Sequence, residues 1–402
     1  MILVLVSPRQ RGLDLSEVEG CVVLTGGQVP DGADTVVTVA DYRTETLVEA
    51  GLELAKQYEI ERVVSFAEAD VLAAAELRER LGLPGQRPDS AIAYRDKALM
   101  RGHTKAAGLP GPAHQTVESI EGVQEFVAQY GFPAVLKPRS ASGSVGVHIL
   151  RSAADLAEIE GDLTDHVVEQ FVPGEVVHVD GLLVGGRPVF ALPAAYTDLA
   201  CLAHWADSGS GSLLLTAEHP WHGPLTEELW QVVEALPPAE DLLLHAEFFV
   251  AEGQRPVLCE IASRLPGHPI PPMINRALGL DLRQTWLRVA AGLPVDVDQI
   301  ARAAAESGPV ANFGLPPRLG RLTEVPASAA PEWVHDLAVL AQPGEVWDQA
   351  RYQARKSGDF VLTWTVTAPD EQVLRQRVQE SADLLDGLVR WQPEPVPIGG
   401  AR

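Results

Sequence analysis

Short apolar runs alternate with a helical segment in the N-terminal part of the chain. Residues 1–6, 21–24 and 62–66 are apolar runs of strand length, and residues 44–59 place apolar side chains at helical spacing. Strands that are buried on both faces and separated by helices pack side by side in a parallel sheet. The sequence therefore predicts a small parallel α/β domain at the N-terminus.

A break in this pattern follows. Residues 68–81 have the composition of a helix, and residues 82–90 contain Pro84, Gly85 and Pro88, which interrupt helices and strands. At 402 residues the chain is expected to form about two to four compact units. We place the first domain boundary near residue 92.

The rest of the chain has mixed α+β character. Residues 152–155 have the spacing of a capping box and predict the start of a short helix. Residues 197–223 show no period, and we interpret them as an irregular or mobile loop. Periodic segments predict strands at 132–136, 167–171, 176–183 and 360–366, and helices from 93 onward, at 119–130 and at 370–388.

Composition disfavours several classes of partner. The net charge of −24 repels phosphate polymers and anionic lipid surfaces, so neither nucleic acid nor a membrane is expected as a partner. The apolar run at residues 1–6 is much shorter than a signal-peptide core, and we expect a cytoplasmic protein. Cys21, Cys201 and Cys259 are widely spaced, which favours reduced thiols over a disulfide framework or a zinc site.

A basic residue and a flexible loop come together after the apolar segment 132–136. Lys137 is soon followed by residues 140–147, a loop of small residues that include Ser142, Gly143, Ser144 and Gly146. Such residues let successive backbone N–H groups point toward one anion, and a nearby ammonium group adds positive charge. The combination predicts a polyphosphate site. It matches neither the Walker A nor the dinucleotide motif, and a plain surface loop beside a partly buried lysine is the alternative.

Two glutamates are predicted to face each other on a β-hairpin. Residues 242–250 and 256–261 have strand composition and are joined by a short turn. A symmetric hairpin pairs Glu247 with Glu260 and places His245 on the same face. Opposed carboxylates repel each other, so a cation is expected between them, and Mg²⁺ has the matching ligand preference. Solvated residues at a sheet edge are the alternative.

Arg264 follows Glu260 by four residues, where the strand is expected to end. A guanidinium group there can bind a phosphate or a carboxylate through two parallel hydrogen bonds. The alternative is a surface ion pair with Glu260. His268, Trp221 and His222 are weaker candidates for substrate contact, and packing or simple exposure is the alternative for each.

In this order the motifs resemble the ATP-grasp superfamily, specifically its carboxylate–amine ligases, which include bacterial L-amino acid ligases and carnosine synthase. The resemblance spans roughly residues 60–300. Residues 65–81 are similar to the segment that precedes the family's ATP domain. Three residues, Asp96, Lys97 and Arg101, are similar to the opening of that domain, and residues 132–138 are similar to its nucleotide-binding strand.

The resemblance implies a multidomain protein of α/β and α+β character, with an ATP-grasp fold preceded by a parallel α/β domain. Four parts are expected: the N-terminal domain, a small lobe with the nucleotide hinge, a large lobe with the metal site, and a C-terminal α+β subdomain. Their expected bounds are 1–92, 93–185, 186–308 and 309–402.

The resemblance also implies roles for single residues. Lys97 and Lys137 would hold the phosphates of ATP, and Glu247 and Glu260 would bind Mg²⁺, with Mn²⁺ as the alternative metal. Arg264 would steady the transferred phosphoryl group and the acyl intermediate. The implied ATP contacts in the loop and around the adenine hinge are Ser142, Gly143, Ser144, Gly146, Glu169, Gln170, Phe171, Val172 and Glu175.

Two positions depart from the family pattern. Val176 stands where relatives often carry a ribose-binding glutamate, with Glu175 and His178 beside it. Ala262 stands where many relatives carry an asparagine that helps to hold a second metal. These departures leave the ribose contact and the number of metals open.

The activity implied is ATP-dependent ligation of a carboxylate to an amine through an acyl phosphate, with amino acids as substrates and a dipeptide-like product. Homodimers are common among relatives of this kind. An ATP-grasp enzyme with another acceptor, as in purine biosynthesis or biotin carboxylation, is one alternative. A non-catalytic nucleotide-binding protein is the other, and the presence of all five charged site residues disfavours it.

Overall fold

A computed structural model describes residues 1–197, 209–326, 331–355 and 358–393. The chain divides into two compact units. The first comprises residues 1–193, 219–266 and 280–305, and the second comprises residues 194–218, 267–279 and 306–402. Within the described ranges, no helix has the length and apolar character that crossing a bilayer requires.

The first unit begins with a four-stranded parallel sheet in the order β3-β2-β1-β4. Its core is formed by apolar residues of the sheet and of two helices, such as Leu3, Leu24 and Leu77, which are fully buried. This confirms the parallel α/β prediction for the N-terminus. The elements are β1 (Ile2–Val6), β2 (Cys21–Thr25), β3 (Thr35–Thr38), β4 (Arg62–Val64), α1 (Thr44–Ala55) and α2 (Val71–Leu81).

Helix α2 begins three residues later than the composition predicts. The carboxylate of Asp70 accepts hydrogen bonds from the backbone N–H groups of Phe66 and Ala67, at 3.4 and 3.0 Å. These bonds hold the segment before α2 in a turn, as short acidic side chains commonly do. The turn leaves Glu68 outside the helix.

A four-stranded antiparallel sheet with the order β5-β8-β6-β7 follows in the same unit. The predicted capping box is confirmed, since Ser152 and Asp155 cap α6 reciprocally. Residues 82–90, predicted to be a linker, contain the start of a short helix with proline at its first position. The elements are α3 (Pro88–Ala93), α4 (Lys97–Ala106), β5 (His114–Val117), α5 (Ile120–Tyr130), β6 (Ala134–Pro138), β7 (His148–Leu150), α6 (Ala153–Ala157) and β8 (His166–Gln170).

The first unit is completed by strands in the order β13-β12-β9-β10, all antiparallel where β9, β12 and β13 pair, and by three helices. These strands carry Asp180, Glu247 and Glu260. The elements are β9 (Glu175–Val184), β10 (Arg187–Tyr196, whose last three residues belong to the second unit), α7 (His222–Ala235), β12 (Leu242–Val250), β13 (Val257–Ala262), α9 (Leu282–Ala290) and α10 (Val297–Ala305).

The second unit contains strands in the order β11-β14-β18-β16 and a three-stranded sheet in the order β17-β15-β19. The predicted C-terminal strand and closing helix are present as β18 and α12. The elements are β11 (Ser210–Leu214), α8 (Ile270–Leu278), β14 (Val310–Leu315), β15 (Gly320–Glu324), β16 (Val334–Val339), β17 (Val346–Trp347), α11 (Gln349–Gln353), β18 (Leu362–Thr367), α12 (Glu371–Asp386) and β19 (Arg390–Gln392).

The prediction of an irregular loop over 197–223 is wrong in part. Residues 210–214 form β11, which pairs with β14, and α7 begins at His222, whereas residues 198–208 lie outside the described ranges. A glycine within this strand hid it from sequence reasoning, because glycine is depleted in strands. A Cβ at Gly211 would lie 2.0 Å from the carbonyl oxygen of Asn312, so the close approach of β14 requires glycine here.

Candidate active site

The two glutamates singled out from the sequence lie directly opposite each other. Glu247 of β12 pairs with Glu260 of β13, and on its other side Glu247 pairs with His178 of β9. Residues in direct cross-strand register share one face of a sheet, so these three side chains form a row. The predicted opposition of the carboxylates is confirmed.

The hairpin is not symmetric beyond this pair. The register shifts between Glu247 and Phe248, and Phe248 pairs with Leu258, so that Cys259 is the extra residue of a β-bulge. A bulge bends a strand and re-aims the side chains beside it. The symmetric turn assumed from the sequence is therefore wrong, although it gave the right partner for Glu260.

Lys97 approaches Glu260 from the start of α4. Asp96 caps this helix by accepting hydrogen bonds from the N–H groups of Ala98 and Leu99. The cap fixes the backbone position of Lys97, the first residue of the helix. The Nζ of Lys97 lies 3.0 Å from Oε2 of Glu260 and donates to the carbonyl oxygen of Ala141 at 2.8 Å. Burial alone would raise the pKa of Glu260, but the positive charges of Lys97 and Lys137 outweigh it and lower that pKa.

Lys137 lies at the end of β6, as predicted, one residue before the last residue of the strand, and it is buried. Its Nζ is 2.7 Å from Oε2 of Glu169, whose other carboxylate oxygen accepts a hydrogen bond from Nε of Arg101 at 2.8 Å. Burial favours the neutral form of Glu169, but the two cations prevail and lower its pKa to about 2. The three side chains form a buried cluster of two cations and one anion.

The loop after β6 has the backbone shape expected of small residues. Gly143 and Gly146 have φ angles of 63° and 73°, in the left-handed region that glycine adopts without strain. A Cβ at Gly146 would lie 2.9 Å from Cγ of Pro138. The carbonyl oxygens at the loop's start are held by Arg95, which donates to Ser140 at 2.6 Å, and by Lys97.

Arg264 pairs with a residue that sequence reasoning missed. Its Nε donates to Oε2 of Glu68 at 2.5 Å, and Arg95 forms an ion pair with the other oxygen of the same carboxylate. Burial alone would raise the pKa of Glu68, but Arg264 and Arg95 lower it to about 2. The surface ion pair with Glu260 that the sequence left open is therefore replaced by a pair with Glu68. No local pattern could reveal it, since the two residues are 196 positions apart.

A second missed cluster joins β9 and β12. Asp180 accepts hydrogen bonds from Nδ1 of His178 at 2.8 Å and from Nδ1 of His245 at 2.7 Å, and all three side chains are largely buried. Asp180 and His245 are in register, one row along from His178 and Glu247 on the same face. Their arrangement holds both imidazoles in the tautomer that carries hydrogen on Nδ1 if both are neutral. Burial would raise the pKa of Asp180, but both histidines lower it.

The hinge residues named from the resemblance, 169–172, are the last two residues of β8 and the two residues after it. The side chain of Glu169 is engaged by Arg101 and Lys137, and the N–H groups of Gln170 and Phe171 donate to other backbone carbonyls at 2.9 and 3.2 Å. Among the four, the N–H of Val172 has no hydrogen-bond partner in the described part of the chain. The adenine-binding role of these residues stays a prediction, and it rests on their backbone groups.

The weaker candidates fall in different places. Trp221 lies in the first unit beside His219, and the two rings meet edge to face at 5.4 Å. His268 belongs to the second unit, where its Nε2 is 3.0 Å from Oγ1 of Thr363. Glu175 is exposed at the start of β9. Nothing in these positions assigns any of the three a role.

The donor set fits a hard divalent cation. Glu247 and Glu260 supply carboxylate oxygens from paired strands, and Mg²⁺ binds one or two such groups and completes its shell with phosphate and water. The positive groups of Lys97, Lys137 and Arg264 lie on the surrounding elements of the same unit. Ala262 brings no further ligand, and it is paired with His245.

Comparisons with known proteins agree with this picture. Over 333 residues the chain is 25% identical to an L-arginine-specific L-amino acid ligase of Bacillus subtilis, covering 79% of this chain and 78% of that protein. It is 23% identical over 280 residues to an alanine–anticapsin ligase of Bacillus subtilis (strain 168), covering 61% of this chain and 57% of that protein, little more than half its length. No protein-family model matches the chain.

Solved structures share the fold. An L-amino acid ligase from Bacillus licheniformis superposes with a TM-score of 0.75 at 12% identity, over 98% of this chain and 99% of that one. An N5-carboxyaminoimidazole ribonucleotide synthetase from Thermotoga maritima superposes with a TM-score of 0.67 at 18% identity, again over 98% and 99%. The predicted resemblance is confirmed: the chain has the ATP-grasp fold, and its sequence relatives include ATP-grasp ligases.

Proposed function

We propose that this protein is an ATP- and Mg²⁺-dependent ligase that joins a carboxylate to an amine through an acyl phosphate. The observation that carries the proposal is the paired Glu247 and Glu260, flanked by the ammonium group of Lys97. Two carboxylates in direct opposition beside a lysine are suited to a metal–polyphosphate complex. Ligase relatives of similar length support the same reaction class.

ATP would be held at both of its ends. The N–H of Val172, which donates to no group in the described part of the chain, would donate a hydrogen bond to adenine, as the hinge prediction requires. Lys97 and Lys137 would bind the phosphates, and the loop at residues 140–147 would close over them. Lys97 and Arg95 now hold carbonyl oxygens of that loop, so binding of phosphates would exchange these contacts for stronger charge-assisted ones.

Glu247 and Glu260 would hold Mg²⁺, which would supply positive charge to neutralise the phosphates of ATP. The lowered pKa of Glu260 keeps this carboxylate ionised and ready to act as a ligand at neutral pH. In the first step, an oxygen of the substrate carboxylate bonds to the γ-phosphorus, and the bond from that phosphorus to the β–γ bridging oxygen breaks. ADP and an acyl phosphate are formed, and Lys97, Lys137 and Arg264 stabilise the spreading negative charge.

In the second step the nitrogen of an amine, arriving as the free base, bonds to the acyl carbon. The carbonyl oxygen becomes negative, and Arg264 would stabilise it before the carbon–oxygen bond to phosphate breaks. Glu68 fixes Arg264 through Nε, which leaves Nη2 for this oxygen, because Nη1 donates to the carbonyl of Leu265 at 2.8 Å. The nitrogen gives up one proton, which leaves with the departing phosphate as hydrogen phosphate, and the product is an amide.

We further propose that both substrates are amino acids and that the product resembles a dipeptide. The relatives named for arginine and for alanine with anticapsin support this choice. Glu68 and Arg264 form a paired anion and cation next to the metal ligands, and such a pair is complementary to an amino acid's ammonium and carboxylate.

The test is release of ADP and phosphate from ATP and Mg²⁺ against a matrix of amino acids taken singly and in pairs, with mass spectrometry of each active mixture. Release that requires two substrates, with a product lighter by one water than their sum, is expected. Product formation with a purine-type acceptor instead would overturn the amino acid assignment.

The variant Glu260→Gln is expected to lower turnover at least 100-fold, because the metal loses an ionised ligand. Glu252→Gln, at the exposed turn of the same hairpin, is the matched control and should retain normal activity. Full activity of Glu260→Gln with unchanged Mg²⁺ dependence would remove this residue from the site.

A further inference from the structure

A polar cavity of about 100 Å³ lies in the first unit, apart from Lys97, Glu247 and Glu260. A single water needs roughly 10–15 Å³ of such cavity volume, so the cavity can hold several waters or a small organic molecule. Its charged lining residues are two arginines, Arg62 and Arg78, and two acids that precede β12, Glu240 and Asp241.

Arg78 is the more telling of these groups. It is 6% exposed, and Nε and Nη2 both donate to the carbonyl oxygen of Val63, at 3.2 and 2.6 Å. No carboxylate of the described residues forms an ion pair with it. Burial, with the nearby charge of Arg87, lowers its pKa to about 10, although Asp241 acts in the opposite sense. A buried guanidinium with only a carbonyl partner is costly, and an anion in the cavity would compensate its charge.

Arg62 brings a second guanidinium to the same cavity. Among the described residues, its side chain makes one hydrogen bond, a long one from Nη1 to the carbonyl oxygen of Glu61, at 3.5 Å. A Cβ at Gly292 would lie 2.7 Å from Nη2 of Arg62, so the guanidinium group packs against the backbone of this glycine. Both guanidinium groups keep N–H donors that bond to none of the described residues, and such a pair of groups can bind a carboxylate or a phosphate.

The acidic wall decides between these anions. Asp241 accepts a hydrogen bond from the N–H of Gly185 through Oδ1, at 2.9 Å, and Glu240 precedes it in the turn. Two negative charges beside the cavity would repel a phosphate dianion, whereas they would attract an ammonium group. The balance of two cations and two anions is complementary to a small zwitterion.

We propose that this cavity is a second binding site that takes a small amino acid as a zwitterion, with its carboxylate on Arg62 and Arg78 and its ammonium on Asp241 and Glu240. Binding in this cavity would depend neither on ATP nor on the proposed reaction. Its wall also includes Ser263, which donates to Gln86 at 3.0 Å and immediately precedes Arg264. An occupant would therefore touch the residue next to the proposed catalytic arginine.

The test is a ligand-observed NMR titration with glycine, without nucleotide. It is made on the Arg264→Gln variant, which is expected to weaken amino acid binding at the proposed active site. Adding Arg62→Gln is expected to weaken glycine binding at least tenfold. Arg80→Gln in the same background is the matched control, because Arg80 pairs with Glu76 on the exposed side of α2, and it should bind glycine as the background does.

Acetate, methylammonium and inorganic phosphate separate the charge requirements. Each is expected to bind at least tenfold more weakly than glycine. Phosphate or acetate binding as tightly as glycine would overturn the zwitterion assignment, and unchanged glycine binding in Arg62→Gln would overturn the site itself. Asp241→Asn keeps an acceptor for Gly185 and removes the charge, so it serves if Arg62→Gln does not fold and should also weaken glycine at least tenfold. ADP release, measured separately, reports on the proposed reaction alone.

Discussion

Substitution of Glu169 by glutamine tests the buried cluster of two cations and one anion. Glu169 is 3% exposed and is the anion for both Arg101 and Lys137. The difference between its pKa of about 2 and the ordinary value of 4.5 corresponds to about 3 kcal/mol of stabilisation by its surroundings. Removing one partner of a buried ion pair typically costs about 3–5 kcal/mol, so the two arguments agree. We expect Glu169→Gln to destabilise the protein by about 3–5 kcal/mol.

The measurement is unfolding in urea. With a slope of about 1–3 kcal/mol per molar, this loss lowers the midpoint by roughly 1 M or more. Lys137→Met is the matched comparison, because it leaves Glu169 paired with Arg101, and it should cost clearly less. Combining it with Glu169→Gln should recover part of the lost stability by removing one of the stranded cations. A cost below about 1 kcal/mol for Glu169→Gln, or an equal cost for Lys137→Met, would refute the reasoning.

Three further results are expected. Since Glu68 and Glu169 have folded-state pKa values of about 2, below their unfolded values, their contribution is present above about pH 4.5 and is lost as pH falls toward 2; the melting temperature should drop over this window, and less so in Glu169→Gln. Gly146→Ala should raise KM for ATP at least several-fold, because alanine is strained at φ 73° and its Cβ would meet Pro138, while Gly131→Ala, also at positive φ but with open space around it, controls for backbone strain alone; equal KM values would contradict this. Arg264→Lys keeps the charge but loses the Nε donor to Glu68, so kcat should fall about 100-fold with smaller change in KM for ATP, and a wild-type kcat would exclude a role for the guanidinium geometry.

Local patterns were sufficient for several of the elements and for part of the site. The capping box at Ser152, the parallel N-terminal sheet and the opposition of Glu247 and Glu260 each follow from residues close together in sequence. The bulge at Cys259 could not be predicted, because a bulge depends on where the partner strand lies and carries no fixed signature of its own.

The partners of the site residues were beyond reach of a single sequence. Glu68 appeared to be part of a helix, and only the turn held by Asp70 releases it toward Arg264. Asp180 lies in a strand of apolar neighbours, and its partner His245 is 65 positions away. Such pairs are fixed by how strands are ordered in a sheet, which composition and periodicity do not specify.

The guanidinium of Arg101 links three elements of the fold, because it extends from α4 and bonds to residues of β8 and β13. Besides Glu169, it donates to the carbonyl oxygens of Leu258 and Cys259, both at 2.8 Å, at the bulge beside Glu260. A lineage that lost Glu169 would strand two buried cations at once, and one that lost Arg101 would also leave those carbonyls unsatisfied. In a collection of related sequences, positions 101, 137 and 169 should therefore change together or not at all, and intermediates with one replaced should be rare.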